Sequence, residues 1–334
     1  MKTERRFWKR SRHWVLAAGA LLAGCGTLLS CQEYDLDERT PEGWDSSIYN
    51  WLDRQGNYTN TVRMINDLKY RDVLAKTGSK TLFVADDEAY ERFFRDNSWG
   101  VHSYEQLSES QKKLLIYGSM INNSIQMANL SNVEGTPPVE GECMRRFAAS
   151  TAFDSVPVLR PEQMPDNPYW RAYREAGKPI VCMEDQTVVP VVQFIEKQLQ
   201  NKRITNDDYD FIFNNSTNRQ AGEASVNGVQ VSEPNIRCSN GFIHKMQEVV
   251  TPLPNMAELI AAKPQLSQFN RLMERYCAPY PELSPDAEGS LTERYNSIYK
   301  TSVDTVYQKR FFSKKSQGGE ELRERPDRKP ALAL

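Results

Sequence analysis

Apolar positions begin as a block and then become periodic. A basic start, MKTERRFWKRSRH, holds six Lys or Arg against one Glu, and an apolar run follows from Trp14 through Leu22 and on to Leu28-Leu29. This is the profile of an export signal peptide, because the run is too short, and too broken by Gly19, Gly24 and Gly26, for a permanent membrane span. Further on, Ile48, Trp51 and Leu52 carry helical spacing behind a Ser46 or Ser47 cap, and Val62, Met64, Ile65 and Leu68 predict a second amphipathic segment. Thr81 to Phe94 starts with β-compatible residues and switches at Asp86-Asp87-Glu88 to helical spacing. It predicts strand, cap and helix, with Ala89, Tyr90, Phe93 and Phe94 on one apolar stripe. Ser225 to Val231 reads as a hairpin around Asn227-Gly228, and Phe242 to Val250 is rich in strand formers after the turn dipeptide Asn240-Gly241.

Other stretches are read the same way. Residues 189–200, with Val191, Val192, Phe194, Ile195 and Leu199, are spaced as a helix, and Thr205 or Asn206 can cap a further turn into Tyr209, Phe211 and Ile212. Two amphipathic helical stretches surround Lys263-Pro264. Clustered prolines from Pro137 to Pro179 predict a loop-rich insertion near residues 131–190, and the charged, Gly- and Pro-punctuated residues 313–330 read as exposed or disordered chain.

Composition narrows the function classes. With 42 Lys and Arg against 44 Asp and Glu the formal charge is -2, so no global field is available to hold nucleic acid, and nucleic-acid binding is discounted. At 334 residues with 39% apolar content the chain can bury at least one full core. Two tetrapeptides, Leu22-Ala23-Gly24-Cys25 and Leu28-Leu29-Ser30-Cys31, resemble the bacterial lipoprotein signal, in which the cysteine thiol is acylated. Cys31 is the preferred lipidation site, because cleavage before Cys25 leaves apolar Leu28-Leu29 on the mature end. The membrane is then a partner through this N-terminal anchor. The acidic run Gln32 to Glu38 resembles the export tags of outer-membrane, surface-exposed lipoproteins. Residues 1–30 are thus expected to be a signal peptide, and residues 31–45 an acidic tether.

The segment Thr81-Leu82-Phe83-Val84-Ala85-Asp86-Asp87-Glu88-Ala89-Tyr90 resembles the first signature of fasciclin domains, with Thr81, Phe83, Asp87, Ala89 and Tyr90 at matching positions and Ala85 in place of the usual proline. Asn240-Gly241-Phe242-Ile243-His244 through Val250 resembles the second, Asn-Gly-x-Ile-His signature. The resemblance covers residues 46–253. It implies an α+β fold, a fasciclin-like β-sandwich or wedge with helices packed on one side. Residues 254–334 are expected to open a second, incomplete unit of the same kind. Family-signature positions with an expected structural role are Thr81, Phe83, Asp86, Asp87, Ala89, Tyr90, Asn240, Gly241, Ile243 and His244. In the family a Tyr-His pair linked to adhesion often follows a leucine-ending helix. Here Leu115-Ile116-Tyr117-Gly118 has glycine in place of that histidine, so contact through this pair is in doubt and Tyr117 reads as core.

Catalytic motifs are sparse. After signal removal His102 and His244 remain, with no HExxH, GxSxG, GxGxxG or P-loop pattern. Cys143, Cys182, Cys238 and Cys277 lack CxxC spacing and a spaced His partner, so no metal site is expected. They are either two disulfides in one of three pairings or free buried thiols. Asp207-Asp208 lacks the ligand order of a calcium loop and reads as a helix cap. His244 and Glu248, four apart in a predicted strand, share a face. Their chemical reading is an acid-base or metal pair, and the structural one is a hydrogen-bonded buried histidine. No cofactor and no enzymatic activity are expected, and the resemblance implies an adhesion or binding module for an unknown protein or glycan ligand. The alternatives are an accessory subunit of an outer-membrane uptake complex and an exported hydrolase with a carboxylate site assembled only in the fold.

Overall fold

The computed structural model describes residues 46–76, 78–154, 156–183, 189–213 and 216–311, all within one compact unit, residues 43–334. The expected signal peptide, Cys25, Cys31, the acidic tether and the chain beyond Phe311 lie outside the described residues. The order of elements begins with helices α1 (Ile48–Gln55), α2 (Thr59–Asp67) and α3 (Arg71–Lys76), then β1 (Lys80–Val84), α4 (Asp87–Arg95), α5 (Glu109–Tyr117) and β2 (Met120–Ile121). Next come β3 (Arg145–Phe147), β4 (Val158–Leu159), α6 (Arg171–Glu175), β5 (Ile180–Met183), β6 (Pro190–Phe194), α7 (Glu196–Lys202) and α8 (Asn206–Phe213). The chain continues with β7 (Ser225–Val226), β8 (Val229–Cys238), β9 (Gly241–Met246), α9 (Met256–Ala262), α10 (Ser267–Arg275), β10 (Cys277–Pro281), α11 (Leu291–Tyr299) and β11 (Tyr307–Phe311).

Helices and two mixed sheets make this an α+β protein. The larger sheet has the order β2-β1-β9-β8-β7-β6-β3, antiparallel except for the parallel β1/β9 pair. Strand β1 is buried on both faces, which is why Leu82, Phe83 and Val84 run apolar without alternation. Leu82 and Val84 join Ile243 against Ile48, Leu52, Met64, Ile65 and Leu115, so the N-terminal helices cover one face. Phe83 takes the other side with Val191, Val226 and Met246, over the short helical turn that carries Met127 and Leu130.

Helix starts follow their local chemistry. Ser47 accepts from the Asn50 N–H, Asp86 from the Ala89 N–H, and Ser108 forms a reciprocal box with Gln111. The Asn227-Gly228 turn has φ of +48° and +84° at its two residues, both in the left-handed region that a tight hairpin needs. One periodicity was misread. Residues 190–194 form strand β6, not the start of a helix, and only 196–202 is helical. The β-branched Val191 and Val192 fit a pleated strand, and Pro190 at its first position gives up no ladder bond. The Asn240-Gly241 dipeptide is also displaced by one residue: the turn is Ser239-Asn240, and Gly241 already pairs with Cys238 as the first residue of β9.

The second sheet joins two distant stretches of chain. Its order is β10-β11-β5-β4, with β11 parallel to β5. Strands β4 and β5 come from the loop-rich 131–190 region, and β10 and β11 from the segment after residue 254. Trp170, fully buried, donates its indole N–H to the Cys277 carbonyl at 3.1 Å, and Asn167 donates to the Glu274 and Cys277 carbonyls at 2.8 and 3.0 Å. Phe153, Val181, Met183, Tyr295 and Val306 form the adjoining core. The two stretches thus share one sheet and one core.

Candidate functional site

The two signatures meet in the parallel pair. Lys80 stands opposite Gly241, Thr81 opposite Phe242, Leu82 opposite Ile243 and Phe83 opposite His244. A side chain at position 241 has no room, since a Cβ there falls 1.8 Å from the Lys80 carbonyl oxygen. Beside it, Asn240 accepts from the Ile48 N–H at 2.9 Å and donates to the Leu74 carbonyl at 2.9 Å, fastening α1 and α3 to the sheet.

Asp86 and Asp87 divide the capping work. Asp86 caps its own helix, while Asp87 reaches across to α2, whose own N-terminal residue Tyr58 offers no cap. One Asp87 oxygen accepts from the Thr59 N–H and hydroxyl, the other from the Asn60 N–H and side-chain amide, at 2.8–3.0 Å. Burial pushes this carboxyl up, and the four donors outweigh it, leaving its pKa below the ordinary value. Ala89 and Tyr90 are buried beneath α4.

His244 is fully buried and stacks on Phe83, with ring centroids 5.4 Å apart. Its Nδ1 accepts from the Asn235 N–H at 3.0 Å, which leaves Nε2 as the donor to the Ile125 carbonyl at 3.2 Å. Burial lowers its pKa to about 4, against which the Ile125 bond works, so the ring is neutral at physiological pH. Asn235 sits in the left-handed region at an irregularity in β8 and accepts from the Met127 N–H with its side chain. Reading the sequence missed this residue. Its only advance signal is the Pro234-Asn235 break in the β8 pattern.

Glu248 does not join His244. It lies beyond the end of β9 and pairs with Arg92 at 2.8 Å, whereas both His244 nitrogens are engaged elsewhere. The expected shared face therefore ends with the strand. His102 is exposed, its Nδ1 3.1 Å from the Phe94 carbonyl. Asp208 accepts from the Thr205 N–H and hydroxyl, as expected of a cap. None of the four described cysteines is in a disulfide, and burial raises Cys238 and Cys277 to about 12. Among the described residues no cluster of three or more His, Cys, Asp or Glu is placed to hold a metal ion. Tyr117 is half-buried, edge-on to Tyr70, and a Cβ on Gly118 would stand 3.0 Å from the Pro252 ring.

The hairpin of α9 and α10 presents a different kind of surface. Asn255 and Glu258 form a capping box at the start of α9, and Lys263-Pro264 turns the chain into α10. Met256 and Leu259 are three apart on α9. Phe269, Leu272 and Tyr276 recur at helical spacing along and just past α10. All five are exposed, Met256 at 67% and Phe269 at 53%, and Leu266 between the helices is exposed too. No residue of α10 is buried.

No family model matches the chain, and neither does any curated protein. Among solved structures it is similar to a FAS1 domain pair from the insect cell adhesion molecule fasciclin I, with 14% identity and a TM-score of 0.33 over 64% of this chain. The match spans about half, 52%, of that domain pair. No helix among the described residues is long and apolar enough to cross a membrane.

A groove of about 370 Å³ lies between α8 and the β7/β8 hairpin, lined by Tyr209, Phe213, Arg219, Gln230 and Gln247. Arg219 is committed to Glu196, 2.5 Å away, and to the Glu223 carbonyl, and it lies over the Tyr209 ring. Both of its terminal guanidinium nitrogens are thus engaged within the fold.

Proposed function

We propose that the chain is a fasciclin-like binding module displayed on the outer membrane through a lipid on Cys31, with Cys25 as the alternative, and that it contacts a protein partner through the α9/α10 hairpin. The observation that carries this reading is the exposed apolar stripe of Met256, Leu259, Phe269, Leu272 and Tyr276. Leucine, methionine and aromatic side chains left uncovered on one element cost solubility, and such surfaces characteristically mark interaction sites. The placement of both signatures in one parallel pair supports the family assignment independently of the hairpin. Under this reading the β1/β9 pair is the rigid support, and the contact surface lies elsewhere.

Two measurements test the proposal. Mass spectrometry of the mature N-terminus is expected to show a lipid on Cys31. A lipid on Cys25 leaves the anchor and moves its site, while an unlipidated end removes the anchor. Purified chain without its lipid, added to cells that display the protein, is expected to be retained, and Phe269→Glu with Leu272→Glu is expected to abolish retention. Equal retention of both proteins would remove the hairpin from the function.

A further inference from the structure

We infer that the α9/α10 hairpin is the interface of a two-fold dimer of this chain. The inference rests on reading the hairpin as a binding face and names its occupant. Three observations favour a second copy.

The first is area. Six residues, between 40% and 67% exposed, present on the order of 600 Å² of mostly apolar surface. That lies at the top of the ~300–600 Å² of the largest patch on a typical monomer, and approaches the ~800 Å² per partner of a standard interface. A polar rim from both helices supplies the remainder.

The second is shape. The hairpin of two short amphipathic helices leaves its own stripe uncovered, since Met256, Leu259, Leu266, Phe269, Leu272 and Tyr276 are all exposed. Two hairpins face to face close a four-helix layer, and a two-fold axis makes the surface its own complement.

The third is charge. Helix α9 carries Glu258 as its one charged residue, while α10 carries Arg271 and Arg275 besides Glu274. The Glu274 carboxylate is already paired with Lys309 at 2.6 Å, which leaves α10 effectively basic and α9 acidic. A two-fold axis that lays α9 of one copy along α10 of the other brings Glu258 near the arginines twice. A lipid bilayer is the weaker occupant. Residues 255–276 hold three basic against two acidic side chains, not the polybasic face of a helix that docks on anionic lipid.

The test is sedimentation velocity of the full chain in a mild detergent across a concentration series, beside Phe269→Glu/Leu272→Glu, Arg271→Glu/Arg275→Glu and the control Phe211→Glu. Phe211 is 86% exposed on α8, so its substitution removes an apolar side chain away from the hairpin. The wild-type chain is expected to dimerise reversibly with a Kd on the order of micromolar. The apolar double variant should weaken association by about 100-fold or more, as loss of two central anchors does, with an unchanged far-UV circular dichroism spectrum. The charge-reversal variant should weaken it by a smaller factor, and the control should match wild type. A wild-type chain monomeric to ~100 µM overturns the dimer. So does a dimer insensitive to the hairpin substitutions, or a monomer that floats with phosphatidylglycerol vesicles through the hairpin. If the chain is monomeric yet Phe269→Glu/Leu272→Glu still abolishes retention on cells, the dimer fails and the binding reading stands. If retention is also unaffected, both fail.

Discussion

Thr81 and His244, one from each signature, grip the same residue. The Thr81 hydroxyl accepts from the Ile125 N–H at 2.8 Å, and His244 Nε2 donates to the Ile125 carbonyl at 3.2 Å. The Thr81 proton goes to the Asn123 carbonyl at 2.7 Å, so the 123–125 loop is closed onto the sheet with its buried backbone groups satisfied. This gives both side chains a reason to be polar inside an apolar layer: each replaces a ladder bond that the loop cannot make.

The neutral state of His244 makes stability depend on pH. Unfolded, the ring titrates near 6.5, and folded at about 4. Its contribution is present in full above about 6.5 and is lost as pH falls toward 4, because in that window the unfolded chain takes up a proton that the folded one refuses. The loss should reach roughly 2–3 kcal/mol. Denaturant titrations from pH 7.5 to 4 are expected to show it, and His244→Gln should flatten the part of the slope that this ring causes. An equal slope in both proteins would assign the dependence to groups other than this ring.

Asp87→Ala should cost about 2–4 kcal/mol, since two first-turn N–H groups of α2 and two side-chain donors lose their acceptor. Asp87→Asn should recover little, because its amide nitrogen meets donors on one side. Asp86→Ala removes a single cap bond and should cost about 1 kcal/mol. Chemical denaturation of the three variants checks the order.

Gly241→Ala is expected to prevent native pairing of β1 with β9, the added carbon having backbone and no flexible side chain in its way. A loss above about 4 kcal/mol, or failure to fold, is the expected result. Near wild-type stability would show that the two strands separate without penalty.

Trp170→Ala should cost about 3–5 kcal/mol and loosen the second sheet before the first, because the indole fills the core against Cys182 and Cys277 and bonds the Cys277 carbonyl. Hydrogen exchange is the readout: amides of β5, β10 and β11 should lose protection while those of β1 and β9 keep it.

Much of the first sheet was legible in the sequence because its signals are local. The Asp86 cap, the α4 stripe and the Asn227-Gly228 hairpin each depend on residues a few positions apart. Residues 190–194 show the limit of such signals: Val191 and Phe194, three apart, fit one face of a helix, whereas in the strand they point to opposite faces and enter separate cores. The strand was decided by its neighbours, β3 on one side and β7 on the other.

By itself the sequence determined where the two signature-like segments lie, that Asp86 caps its own helix, and that α9 and α10 are amphipathic. Only the tertiary structure decided that Asp87 caps another helix, that Asn235 and Ile125 hold His244, and that Glu248 turns away to Arg92. It also decided that segments from 158–183 and 277–311 share one sheet, and that the α9/α10 stripe stays uncovered. The physical reason is range. Capping and amphipathicity follow from bonds and spacing within one or two turns of chain, whereas strand partners, burial of a polar group and exposure of an apolar one depend on which distant segments come to rest against it.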